Sequence, residues 1–310
     1  MKKVKIPLTT DLAGNELNIS GVELGSGSPR ICIQSGTHGG EITFWIIKEL
    51  FNRLKNQKLK GTLVLMPNVN PVAWNQRVYF STVGKFSLQT GEDYNRGFPG
   101  SDTSLVKRRA KKIFTNALTF NYVIDLHTSR KSVPFSITIK EKNEQSLINI
   151  LGLEFNYLLS NKTDDSMMSA LSTTKTKGFE IECGSHDSYE QENIDKVTKA
   201  ILRFLRANKM ITLEIEPSSN SPLCYTEYIK YFAETSGYVE FRIEAGQRYK
   251  KGEELYLLYP SNNYFEPISI NAKEDGVVIK LLPSYIVWEG DEILQTVNKD
   301  NLTQLKEEKR

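Results

Sequence analysis

An α/β core followed by a smaller all-β region is the architecture predicted for this chain of 310 residues. Three patterns predict it. Up to about residue 208, short β-rich runs alternate with stretches whose apolar residues recur at helical spacing, as in helices packed on a largely parallel or mixed sheet. From Lys209 onward strands and turns take over, with the polar stretch 216–221 (EPSSNS) as a linker segment. That second region also carries a weak internal repeat. The expected division is therefore 1–208 and 209–310.

Taken in order, 31–33 reads as a strand and 41–55 as a helix, with Phe44, Ile47, Leu50, Phe51 and Leu54 at helical spacing. A second strand at 63–66 leaves through a loop marked by Pro67, Asn68, Asn70 and Pro71. Ser101 or Asp102 is placed to cap a basic helix running to about Leu118, whose run 107–112 (KRRAKK) reads as a solvated face. A third strand covers 122–126 and is apolar apart from Asp125. Further strands are expected at 135–139 and 179–181, with helices near 144–152, 165–172 and 190–207. The last of these carries Ile194, Val197, Ile201, Phe204 and Leu205 on one stripe and closes the α/β part. In the repeat, Ser236 to Val239 followed by 251–255 matches Asp275 to Val278 followed by 290–294. Each copy is a glycine turn, a strand and a second glycine turn, which predicts a small two-fold β-sandwich or barrel; with no lysine at a tight hairpin between the copies, it is taken as a lid or wall beside the α/β part rather than a carrier.

Composition excludes some function classes. With 39% hydrophobic and 25% charged residues the chain is an ordinary globular sequence, and 40 basic against 37 acidic residues leave a net charge of only +3. Such a balance makes no nucleic-acid footprint, and no aromatic residues interleave with the basic run. Cys32, Cys183 and Cys224 form no even disulfide framework and no C-x-x-C pair, so a reducing, cytoplasmic setting is expected. The opening MKKVKIPLTTDL has no apolar stretch long enough for a signal-peptide core, and no apolar run approaches the roughly 20 residues of a membrane span.

Chemistry concentrates on the histidines, of which there are three. His38 and His127 stand directly after predicted core strands, and residues leaving the carboxyl ends of strands in an α/β sheet converge on one crevice. His38 belongs to SGTHGGE, so Glu41 follows it by three positions across a glycine pair. His38 and Glu41 can face one point, and His127 can supply a third ligand. Two histidines and a carboxylate with a fourth position open are the donor set of a catalytic zinc site. Taken alone the His-x-x-Glu pair is common, and an ordinary satisfied histidine under a loop is then the more usual reading of His38.

The pair gains meaning from its company. After it come Asn70-Pro71, then DYNRGFPG at 93–100, then IDLHTS at 124–129, then Glu182-Cys183-Gly184. This ordered set resembles the succinylglutamate desuccinylase/aspartoacylase family, a branch of the zinc carboxypeptidase-like fold, over roughly residues 30–190. The resemblance implies a mixed sheet flanked by helices and zinc held by His38, Glu41 and His127. It implies that Asn95 and Arg96 hold a substrate carboxylate, a task suited to the planar arginine fork. Tyr94 stands where the family has leucine.

Glu180 and Glu182 face the same side of their strand, so spacing does not choose between them; the family's Glu-x-Gly motif selects Glu182 as general base. Arg77 lies where family members carry an arginine that polarises the scissile carbonyl. Asp125 could orient a ligand imidazole or sit at a sheet edge, and His186 has no place in the pattern.

The expected activity is hydrolysis of the amide bond of a small N-acylated amino acid or related carboxylate, with Zn2+ as cofactor. A small anionic N-acyl molecule is the expected partner, hinted at by Arg130 and Lys131, with no nucleic acid or membrane. A homo-oligomer is left open. A zinc carboxypeptidase acting on a short peptide would use the same ligands. A non-catalytic binding module, with the β-rich repeats meeting a partner, is the alternative from another class.

Overall fold

The structure is a computed structural model, and it describes residues 1–78, 81–142, 144–160, 165–186, 188–282 and 284–304. Its first layer is a ten-stranded mixed sheet. The chain enters through an antiparallel hairpin, β1 (Lys2–Thr10) and β2 (Glu16–Ser26). It then lays down β3 (Arg30–Ser35), helix α1 (Phe44–Leu54), β4 (Gly61–Asn68), the single turn α2 (Pro71–Trp74) and a small hairpin of β5 (Arg77–Val78) and β6 (Ser81–Thr82). Helix α3 (Leu105–Ala117) leads into β7 (Tyr122–Ser129), then β8 (Lys131–Ser132), β9 (Phe135–Ile139), α4 (Gln145–Leu151) and β10 (Phe155–Leu159). Helix α5 (Met167–Ser172), β11 (Lys177–Ser185) and α6 (Gln191–Ala207) complete this part.

The helices begin where side chains can cap them. Ser104 accepts from Lys107 N–H at 3.2 Å at the start of α3, two or three residues beyond the cap expected at Asp102 or Ser101. Glu41 lies in the turn before α1 rather than in the helix, and Phe44 points to solvent.

Strand order is β1-β2-β4-β3-β7-β11-β9-β10, continued by β12 (Leu223–Tyr225) and β21 (Thr303–Gln304). The central strands β4, β3, β7 and β11 run parallel, so their carboxyl ends open on one side. Alternation along these strands divides the sheet. One face is apolar throughout, with Ile33, Leu65, Ile124, Leu126, Phe179 and Ile181 packed under α1, α4 and α6. From α6 alone, Ile194, Val197, Ile201, Phe204 and Leu205 are buried, each side chain stabilising by about 1.5–3 kcal/mol. The other face packs Cys32, Val64, Met66 and Val123 against α3 and α5, and towards the strand ends it turns polar. There Gln34, Asp125 and Glu180 stand in register on β3, β7 and β11, with Glu182 opposite His127 one step further on.

After α6, Met210 and Ile211 still pack on the apolar face, and β12 joins the first sheet. The remaining strands form two antiparallel sheets around their own core. One contains β13 (Ile229–Phe232), β15 (Arg248–Tyr249), β18 (Gly276–Leu281) and β20 (Glu292–Asn298); the other contains β14 (Gly237–Phe241), β16 (Glu254–Pro260), β17 (Ile268–Asn271) and β19 (Ile286–Val287). The repeat is visible here as two hairpin-like pairs, β14 with β16 and β18 with β20, one in each sheet. The β-rich layer meets the first sheet through β8 pairing with β18 and through a shared cluster of Phe135, Phe155, Tyr225, Val277, Ile279 and Val297. Among the described residues no helix is long and apolar enough to cross a membrane.

Candidate metal centre

His38 and Glu41 occupy the turn that leaves β3, and glycine shapes that turn. Gly40 has φ +84°, which admits a side chain only with strain. Gly39 is bridged to Gly84 and lies against Ala73; a Cβ there would stand 2.8 Å from the Ala73 carbonyl carbon and 2.9 Å from Gly84 Cα. The two side chains are thereby folded onto one point. Nδ1 of His38 is 2.9 Å from Oε1 of Glu41, and His127, near the carboxyl end of the neighbouring strand β7 and still within it, brings its Nδ1 to 3.4 Å from the same oxygen. The rings are 5.3 Å apart, and the three ligand atoms lie within 4.8 Å of one another.

Each imidazole is held from behind by a carboxylate. Nε2 of His38 is 3.0 Å from Oδ1 of Asp93, which also accepts from the Asn95 N–H at 2.8 Å. Nε2 of His127 is 3.2 Å from Oδ2 of Asp125. For His38 the Asp93 bond fixes the tautomer that leaves Nδ1 free for a ligand, and for His127 the Asp125 carboxylate stands at ion-pair distance. Asp125, Glu180 and His127 also lie within 4.8 Å of one another, but Nε2 of His127 already faces Asp125 there, so this group supports the first.

The electrostatics of the centre's own side chains follow from burial and pairing. Burial opposes the imidazolium of His38, but Glu41 and Asp93 outweigh it and raise its pKa. His127 is raised further, with Asp125 and Glu41 prevailing over its burial. Burial would lift Glu41, yet the two histidines hold it far below the usual carboxylate range. Asp93 is drawn down to about 2, where its bond to His38 overcomes partial burial. The residues fit a divalent cation: two imidazoles and a carboxylate are a zinc donor set, and the second carboxylate oxygen of Glu41 is buried without a protein partner.

The other candidate residues divide. Glu182 is partly buried and level with His127, whereas Glu180 is buried one pair deeper, level with Asp125. Asn95 is buried, and its Oδ1 accepts from the Met167 N–H at 3.2 Å, committing that oxygen to the start of α5. Arg96 is exposed and donates from Nη1 to the Asn95 carbonyl. Arg77 is exposed on the β5–β6 hairpin, and among the described contacts none joins its side chain to the three ligands. His186 lies beside the site with Nδ1 3.1 Å from the Thr128 hydroxyl. Asp125 is not at a sheet edge: β7 runs between β3 and β11.

The protein brings in residues that the motifs did not flag. Lys280, on β18 of the β-rich region, places Nζ 3.9 Å from Oε1 of Glu182 and over the rings of Phe135 and Tyr228, at 5.1 and 5.6 Å. Its burial lowers its pKa against the pull of Glu182. Arg109, in the basic run read as a solvated face, is wholly buried.

Residues 27–208 match the model of the succinylglutamate desuccinylase/aspartoacylase catalytic domain. The chain belongs to that family. This is a family of deacylases, and its fold extends over the whole chain. A family protein from Shewanella amazonensis SB2B superimposes with a TM-score of 0.89 at 21% identity, covering 98% of this chain and 100% of that one. A family protein from Rhodobacter sphaeroides gives 0.79 at 18% identity, over 98% and 94%. The product-bound ectoine utilization protein EutE (DoeB) from Ruegeria pomeroyi gives 0.78 at 18% identity, over 94% and 92%. At these identities the likeness is one of fold. Among curated proteins none matches significantly.

Proposed function

We propose that this family member is a zinc-dependent amidohydrolase that removes an acyl group from the nitrogen of a small carboxylate-bearing molecule. One observation carries the reading: His38, Glu41 and His127 converge at the carboxyl ends of adjacent parallel strands, with Glu182 level with His127 on the next strand. Zinc held by those three residues would supply Lewis-acid polarisation of the amide carbonyl and acidify water.

The chain's own residues do the rest. Glu182 takes the proton of the attacking water and returns it to the leaving nitrogen. Asp93 and Asp125 keep the imidazoles aimed while this happens. Arg77 is assigned to the carbonyl oxygen, where a cation stabilises the developing negative charge. Asn95 and Arg96 are assigned to the substrate carboxylate, so that the amide is fixed in place. Phe135, buried, and Tyr228, partly buried, lie under the Lys280 ammonium beside Glu182 and are assigned to limiting water there. Three free, buried cysteines are in keeping with a reducing cytoplasm.

The test is a panel of N-acyl amino acids assayed with the wild type and Glu182→Gln. The variant should keep its metal and lose about 100-fold or more in kcat. Undiminished hydrolysis by Glu182→Gln would remove the assigned base, and cleavage of C-terminal peptides in preference to N-acyl amino acids would replace the deacylase with a carboxypeptidase.

A further inference from the structure

Helix α3 turns one charged side chain fully inward. Arg109 is 1% exposed, on the same face as the buried Val106, Ala110 and Ile113. Its Nη2 donates to the carbonyl of Tyr94, and its guanidinium lies over the rings of Tyr94 and Phe98, 5.6 Å from each. Nε and Nη1 have no hydrogen-bond partner. Asp125, on the sheet face that packs against α3, is fully buried too, and neither of its oxygens makes a hydrogen bond; Oδ2 stands only at ion-pair distance from His127.

A buried guanidinium is costly unless negative charge lies close by. Burial draws Arg109 down to about 10, and Asp125 leads the groups that resist this, followed by Tyr94 and Asp93. Those two carboxylates hold the two histidines of the metal centre, Asp93 behind His38 and Asp125 behind His127. Arg109 also fixes, through the Tyr94 carbonyl, the backbone of the turn that presents Asp93. One guanidinium thus bonds the backbone that presents Asp93 and places a buried positive charge on the side of the sheet that carries Asp125, without a direct bond to that carboxylate.

We propose that Arg109 is a positioning residue that joins the two histidine-holding carboxylates into one unit and so sets how tightly His38, Glu41 and His127 hold their metal ion. The proposal rests on the metal reading given above.

The experiment measures zinc affinity by chelator competition in the full-length wild type, Arg109→Met, Asp125→Asn and the double variant. Arg203→Met is the control. Arg203 is a half-buried arginine on α6 that caps carbonyls of Ile150 and Leu151 on the opposite side of the sheet. Arg109→Met should bind zinc about 10- to 100-fold more weakly, the loss usual when support behind a metal ligand is removed. Arg203→Met should lower the melting temperature and leave zinc affinity unchanged. The double variant should lose less than the product of the single losses, because Arg109 acts through Asp125. Wild-type zinc affinity in Arg109→Met, or fully multiplicative losses, would overturn the proposal. Should Arg109→Met not fold, Arg109→Lys decides. A lysine cannot reproduce the planar guanidinium that lies over Tyr94 and Phe98 while donating to the Tyr94 carbonyl, so a loss of affinity supports the role and wild-type affinity overturns it. A wild type that takes up no zinc would instead overturn the metal reading itself.

Discussion

His38 and His127 both have pKa values raised above the usual histidine value, each beside Glu41 and a second carboxylate. In the metal-free protein their charged forms therefore add stability that is fully present below the unfolded value of about 6.5 and is lost as pH rises through the raised folded values. Zinc must displace those protons, so its affinity should rise with pH across the same window and level off above it. Isothermal titration calorimetry in buffers of differing ionisation enthalpy would show proton release on binding; no release would contradict the pairing. The three ligand positions could be named in the sequence only because His-x-x-Glu was followed, in order, by the other motifs, since the pair alone is common. Asp93 was visible only as part of DYNRGFPG, and its bond to His38 closes a gap of 55 residues that no local spacing encodes. Arg109 was hidden because a basic run normally faces water; its inward turn comes from the 3.6-residue period that aligns it with Val106, Ala110 and Ile113. Lys280 reaches Glu182 from another sheet, a contact set by topology alone.

At the scale of elements, the turn after β3 and the helices behind the sheet do separate jobs. Gly39→Ala would press a methyl group against Ala73 and Gly84, a crowding that costs about 1–3 kcal/mol. It should weaken zinc binding as well as lower the melting temperature, because the same turn aims His38 and Glu41. Ile201→Ala in α6 should cost about 2–5 kcal/mol from a cavity on the far face and leave zinc stoichiometry at its wild-type value. Comparing thermal melts with metal content for the two variants checks that distinction; loss of zinc in folded Ile201→Ala would contradict it. The strands and helices of the first 208 residues could be read because apolar periodicity dictates them. Their ends could not, since caps such as Ser104 depend on local hydrogen bonds that several neighbouring residues could make.

For the whole molecule, the β-rich region is built into the catalytic layer. Strand β12 pairs with β10, β18 pairs with β8, Arg130 bonds Glu292, and Phe135 and Phe155 share a cluster with Tyr225, Val277, Ile279 and Val297. A fragment ending at residue 208 would expose that cluster and a bare strand edge, so it should aggregate or expose apolar surface to a hydrophobic dye. A monomeric fragment with native-like near-ultraviolet circular dichroism would contradict this. The repeat disclosed that this region is β-rich, but not its docking, because β8–β18 pairing joins segments about 150 residues apart in the chain. Elemental analysis of the purified protein alongside His38→Ala and Glu182→Ala tests the metal centre directly. Close to one zinc per chain in the wild type and in Glu182→Ala, with loss in His38→Ala, is the expected result. A wild type that neither carries nor takes up zinc, in preparations free of chelator, would mean that His38, Glu41 and His127 hold no zinc.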